Sequence, residues 1–351
     1  MNILYQSILC QSEIRKININ QFSKDELFKY FPESWYPLCL SSELRKNEVK
    51  KINAFSGHLV CYRGKNGKVG VLKQFCPHMG TDLSNSKVVE DCLECPFHLR
   101  KYNPEGKCTG MYGHNKVPNN AHTQSLEVIE KFNIVFVYFG TDPKFSFPTF
   151  SRVENQEEYY SSNVANYFLN TPYQSLLFNG FDTHHLGCIH SRVVSDNPQF
   201  IAVNEFLLTA EYSMKVLPNR FYDKIVQRIN TKENHVKLES WGGNFLIITL
   251  KDTKDNILIT SLPINEKESR IFLTSMTSKS TNIWTNVKQY FRLKLTTILG
   301  VEFLKPDIKI IENMRPEIRG LYNELDIGVI EFWKYWDKLP RDKSFQDSFF
   351  K

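Results

Sequence analysis

Cys76-Pro77-His78-Met79-Gly80 and Cys95-Pro96-Phe97-His98 form the stretch on which the reading of this chain turns. Sixteen residues separate His78 from Cys95, and each half offers one thiolate and one imidazole on a tight loop. Such a set can hold a [2Fe-2S] cluster asymmetrically, both Cys on one iron and both His on the other. Neutral imidazoles in place of two thiolates raise the potential to about −150 to +300 mV, against about −400 mV for four-Cys ferredoxins. The rival is zinc, because Cys2His2 also suits tetrahedral Zn2+, and Cys92 with Cys95 adds a ribbon-like dithiol. Zinc sites with this set usually keep Cys pairs and His pairs apart, whereas here each loop supplies one of each, so iron–sulfur is preferred. Cys92, Cys61 and Cys108 are then loop or core thiols.

Outward from these loops the chain reads as β structure. VKKINAF, GHLVCYR and KVGVLKQF are short β-like runs, with Lys65-Asn66-Gly67 marking a hairpin. The texture continues through SLEVIEKFNIVFVYFG at 125–140, and Thr141–Pro148 reads as a linker. Residues 1–34 form a polar leader with a short helix expected around Ser23–Phe31. In the second half, Asn170–His190 reads as mostly helical. Strand-like runs FLLTAEYSMKV, HVKLESW, NFLIITLKD, ILITSLPI and RIFLTSMTS follow, as in an antiparallel sheet. Helices are expected over 283–300 and 307–337. The fold class is α+β, divided as 1–34, 35–145 and 146–351.

Composition excludes several classes. The chain has 351 residues, 41% apolar and 13% aromatic, too apolar for a disordered protein. No run reaches the ~20 apolar residues of a membrane span, and no secretory signal is evident, so a cytoplasmic protein with cysteines for metal or core is expected. The net charge of +6 resides in residues 41–117, which hold 13 Lys/Arg and 7 Asp/Glu. No dense basic stripe points to nucleic acid; a solvated surface and a face for an acidic protein partner stay open.

A second constellation follows in Asn179-Gly-Phe-Asp182-Thr-His184-His185-Leu-Gly-Cys-Ile-His190. Asn179, Asp182 and His185 stand at i, i+3 steps, neighbours on a helix. His185 and His190 lie about 140° apart on a regular helix, so joint ligation predicts a widened turn or a break near Gly187. Two imidazoles and a carboxylate on one face of Fe(II) leave positions open for O2 and substrate. His184 is expected to point elsewhere.

Taken with Trp35-Tyr36-Pro37 and SLPINEKESRIF, these motifs resemble the catalytic (α) component of the Rieske non-haem iron oxygenases over nearly the whole chain. The resemblance implies an N-terminal all-β Rieske domain followed by a helix-grip catalytic domain with an antiparallel sheet. It implies that Cys76, His78, Cys95 and His98 bind the [2Fe-2S] cluster, and that His185 and His190 bind a mononuclear Fe(II). The family's third ligand is an Asp on a late helix; Asp307 is chosen, with Glu312 and Asp326 as alternatives. Asp182, with Asn179 beside it in the motif, is implied as catalytic. Its carboxylate would join a cluster His of a neighbouring subunit to an iron-ligating His of its own, in a homotrimer. A separate NAD(P)H-fed reductase or ferredoxin would dock near the basic half and deliver single electrons. One departure is Leu99-Arg100, where relatives follow the second cluster His with Gly-Trp or another aromatic pair.

Oxidation of a small organic substrate with O2 is therefore expected. Monooxygenation (hydroxylation, dealkylation or N-oxidation) is favoured over the dioxygenase outcome, arene dihydroxylation. The second-half aromatics suit an apolar pocket as well as an ordinary core. Competing readings are an electron-transfer Rieske protein without oxygenase chemistry, which needs no His185 or His190, and a zinc-stabilised binding module.

Overall fold

Gly67, at φ 93°, closes the hairpin between strands Gly57–Arg63 and Val69–Lys73, as Lys65-Asn66-Gly67 foretells. The computed structural model describes residues 28–350, except 114–115, 119, 150–158, 218–222, 225–232, 251–254 and 319. Most of the helix expected over Ser23–Phe31 lies outside the described residues.

The hairpin belongs to a six-stranded antiparallel sheet ordered Ser34–Leu40, Ile134–Phe139, Ser125–Lys131, Val69–Lys73, Gly57–Arg63, Val49–Ala54. IVFVYF at 134–139 is apolar at every position because both faces of that strand are covered. Beside it stands a small four-stranded sheet within 87–110, which the sequence reading passed over because its strands have only two or three residues. It has a separate core, in which Tyr62, Leu72, Leu93 and Tyr102 enclose Cys76 and Cys95.

The second half is a nine-stranded antiparallel sheet, as its alternating runs foretell. All five expected strands are present, from Leu207–Val216 to Ser269–Ser278. Five helices are described: α1 (Gln174–Phe181), α2 (Thr183–His190), α3 (Ile283–Ile311), α4 (Ile327–Lys338) and α5 (Lys343–Phe349). Helix α3 lies along strand Ser269–Ser278, and α1 packs on α4.

Two helical expectations are corrected. No break separates 300 from 307: α3 runs through Pro306, forgoing only the one hydrogen bond that residue cannot donate. The helix expected over 307–337 is instead interrupted between Ile311 and Ile327.

The halves share one apolar core. Phe136 stacks on Phe245, Phe55 and Ser56 donate backbone N–H bonds to the carbonyls of Pro263 and Ile264, and Asn244 donates to Trp35 O. The segment read as a linker is pinned by its aromatics, Phe147 against Trp35 and Phe145 against Phe206. Helix α5 returns to the first half, where Phe345 and Phe349 pack on Phe139.

Candidate metal centres and cavity

The two cysteine loops have one backbone design. In the first, Cys76 N donates to Thr81 O and Gly80 N to Cys76 O; in the second, Cys95 N donates to Arg100 O and Leu99 N to Cys95 O. Gly80 and Leu99 are thus equivalent, and both are left-handed, at φ 74° and 52°. Leucine takes a conformation there that glycine adopts freely, at a cost of about 1–2 kcal/mol. This is the structural meaning of the Leu99 departure.

The loops sort their four side chains by type. Cys76 and Cys95 are buried, whereas His78 is exposed and His98 half-exposed, with ring centroids 4.7 Å apart. Tyr102 Oη lies 3.2 Å from Cys76 Sγ. Burial pushes the Cys76 thiol up, and the Tyr102 hydroxyl opposes that shift. These four residues do not appear as a compact group of donor atoms; among the described residues the group with three donors mutually within 4.8 Å is elsewhere. A single tetrahedral zinc would draw its ligands that close, whereas a two-iron cluster separates a cysteine pair from a histidine pair. The donor set therefore fits the cluster. Cys92 sits near Thr109, 3.4 Å away, and Cys61 and Cys108 are buried core thiols.

The compact group is His185, His190 and Asp307. The chain breaks at Asp182, which ends α1 and caps α2: its Oδ1 accepts from the backbone N–H groups of His184 (2.9 Å) and His185 (3.2 Å). The expected break near Gly187 is absent, since α2 is continuous from Thr183 to His190. The two imidazoles still come to 5.2 Å between ring centroids, with His190 at the helix end before left-handed Ser191.

Asp307 Oδ1 lies 2.8 Å from His190 Nε2 and 4.0 Å from His185 Nε2. His185 Nδ1 hydrogen-bonds the backbone carbonyl of Asp182, which leaves Nε2 toward the group. Within the chain the Asp182 carbonyl makes this bond, while carboxylate Oδ1 caps the helix. Burial holds His185 below the usual imidazole range, partly offset by Asp307, which favours the unprotonated ring that can ligate. Asn179 Nδ2 is 3.5 Å from His185 Nε2. His184 turns outward toward Cys188. Glu312 is exposed, and Asp326 caps its own turn through the Asn323 N–H, so neither joins the group. Three convergent donors of two types, with His190 and Asp307 buried and His185 half-buried, fit a divalent iron.

The group opens on a cavity of about 240 Å³, whose lining residues all fall between Leu176 and Asp307. Its wall is mostly aliphatic, with Leu176, Met214, Val236, Ile248 and Leu273 among its residues, while most aromatics of this half pack in the core. Polar groups enter at His185, Asn179 and Asp307, and again at Asp255, ion-paired with Arg292 at 2.6 Å.

Sequence reasoning missed Phe303, stacked 3.8 Å over His190, and Arg192, which donates to His190 O and Asp223 Oδ1. Phe303 stands four residues before Asp307, a spacing that a helical reading of 300–307 would have exposed. Arg192 carried no sequence signal.

Residues 34–124 match the family model described as Rieske [2Fe-2S] domain. The chain is 35% identical to cholesterol 7-desaturase nvd 1 of Ciona intestinalis, over 47% of this chain and 36% of that protein. It thus spans little more than a third of that relative's length. It is 22% identical to aminopyrrolnitrin oxygenase PrnD of Pseudomonas fluorescens, over 88% and 93% of the two chains. In fold it is similar to dicamba monooxygenase bound to 3,6-dichlorosalicylic acid, with TM-score 0.66, 18% identity, and 88% and 98% of the two chains covered.

Proposed function

We propose that the chain, which carries a Rieske [2Fe-2S] domain over residues 34–124 and is similar to oxygenases in sequence and fold, is a Rieske non-haem iron oxygenase that oxidises a small apolar organic substrate with O2, by monooxygenation. The observation that carries this reading is the convergence of buried His190 with His185 and Asp307, which line an aliphatic cavity. In this reading Cys76 and Cys95 hold one iron of a [2Fe-2S] cluster, and His78 and His98 the other. His185 and His190 offer Nε2 and Asp307 its carboxylate to a mononuclear iron. When bound, the cluster supplies single electrons and the mononuclear iron supplies the oxygen chemistry.

The protein's own contribution is position and environment. The Asp182 carbonyl holds the His185 tautomer, Phe303 fixes the His190 ring plane, and Asn179 stands where it can hydrogen-bond a group beside His185. The aliphatic wall binds the substrate and excludes water. The relatives are named for cholesterol, aminopyrrolnitrin and dicamba, and the apolar wall supports a substrate of comparable hydrophobicity.

Two partners complete the proposal. A separate reductase or ferredoxin docks near the basic first half. The chain forms a homotrimer, in which the half-buried Asp182 meets the exposed histidine pair of a neighbour. An arrangement of this kind supplies electrons across a subunit boundary.

The test is anaerobic reconstitution followed by iron counting, visible spectroscopy and substrate-dependent O2 uptake with a surrogate reductase. Three irons per chain are expected, with a reducible cluster spectrum and coupled product formation. His185→Ala should lose one iron and all turnover while keeping the cluster spectrum. Two irons in the wild type, with electron transfer but no O2 incorporation, would favour the electron-transfer reading; a colourless zinc protein would remove both.

A further inference from the structure

Helix α3 leaves one face bare. Trp284, Val287, Phe291, Leu295 and Ile298 are 75%, 44%, 65%, 40% and 59% exposed. At 100° per residue they fall within about 80° of arc, on the side opposite buried Leu293, in a stripe about 21 Å long. Single exposed apolar residues are ordinary, but a continuous stripe of this kind marks a docking surface.

The charge around the stripe identifies the occupant. Lys288 flanks one side and Lys294 the other, and no Asp or Glu occurs in the chain from residue 269 to 301. Arg292, next to Lys288 on the helix surface, is ion-paired with Asp255. A helix with Trp and Phe along one ridge and lysines on both sides of it matches the interface of an anionic bilayer, where aromatic rings sit at headgroup depth. Pairing this face with its own copy about a two-fold axis would instead set like charges together. The stripe also adjoins the cavity: Leu295 belongs to both, and Arg292 at the edge of the stripe lines the cavity as well. No helix among the described residues is long and apolar enough to cross a membrane, so the contact is with a surface.

We propose that the outer face of α3 docks the protein onto anionic lipid bilayers, with the Arg292–Leu295 edge of the cavity turned toward the lipid. This concerns where the protein sits, and it stands or falls separately from what the iron site oxidises.

The experiment uses the full chain and vesicles of phosphatidylcholine with about 30% phosphatidylserine. Co-sedimentation is expected with these vesicles, with loss of binding in pure phosphatidylcholine or at about 1 M salt, where screening acts within about 3 Å. Trp emission should shift to the blue on binding, since Trp35, Trp333 and Trp336 are buried and Trp284 is the most exposed indole. Trp284→Phe should lose that shift yet still sediment. Trp284→Glu with Phe291→Glu should weaken binding at least tenfold while retaining wild-type iron content and cluster spectrum, which shows that the variant folds. Wild-type protein left in the supernatant, or binding untouched by the double variant, overturns the proposal. So does a wild-type oligomer, by light scattering, that shields Trp284 and that Phe291→Glu dissociates, because a second copy would then cover the face.

Discussion

At the residue scale, Asp182 carries two duties that a single substitution can separate. Its carboxylate caps α2 through two backbone N–H groups, and its carbonyl orients His185. Asparagine caps as well as aspartate does, whereas alanine does not. Asp182→Ala is therefore expected to cost about 1 kcal/mol in chemical denaturation. Asp182→Asn should be near neutral in stability yet slow reduction of the mononuclear iron by the cluster, read in single-turnover kinetics. Equal electron-transfer rates in Asp182→Asn and wild type would show that the carboxylate only caps. The sequence displayed both Asp182 and His185, but not which Asp182 oxygen serves the imidazole. That choice depends on the backbone leaving helix at Asp182, with ψ 95°.

At the element scale, α3 places Asp307 one residue after Pro306, inside a helix rather than after a break. Proline in a helix interior costs about 3 kcal/mol relative to alanine, by removing a hydrogen bond and crowding the preceding turn. Pro306→Ala should therefore raise the apo-protein's stability, measured by thermal unfolding. Iron retention against a chelator should stay near the wild-type level, because α3 already carries Asp307 in helical conformation. A second pressure point is Gly328 on α4, where an added Cβ would lie 2.0 Å from Phe181 O at the end of α1. That neighbour is backbone and cannot yield cheaply. Gly328→Ala is expected to cost about 1–3 kcal/mol and to disturb Asp182, so reduced iron occupancy should accompany the fall in denaturation midpoint. Periodicity showed these helices but missed the join through Pro306, since proline normally signals a stop.

At the scale of the whole molecule, the two halves are held by a common core and by the Arg270 fork on Glu43, at 2.6 and 3.0 Å. Burial raises the Glu43 carboxyl, but Arg270 and the Leu40 N–H outweigh it and hold the group below its ordinary 4.5. A carboxylate depressed in the folded state contributes stability that is full above its unfolded pKa and is lost as pH falls through the folded value. Stability should thus decline below about pH 4.5, and Glu43→Gln should flatten that decline, as followed by denaturant titration across pH 3–6. A slope unchanged by Glu43→Gln would assign the loss to other carboxylates. The sequence alone determined the ligand types and the strand texture, because thiols and imidazoles at short spacing and apolar alternation are local properties. It also presented His185 and His190 five residues apart in one segment. Only the tertiary structure decided that Asp307, rather than Glu312 or Asp326, meets them, and that the linker aromatics and α5 bind the halves together. Those outcomes join residues from 61 to 210 positions apart, and burial against the sheet, which no local pattern encodes, selects them.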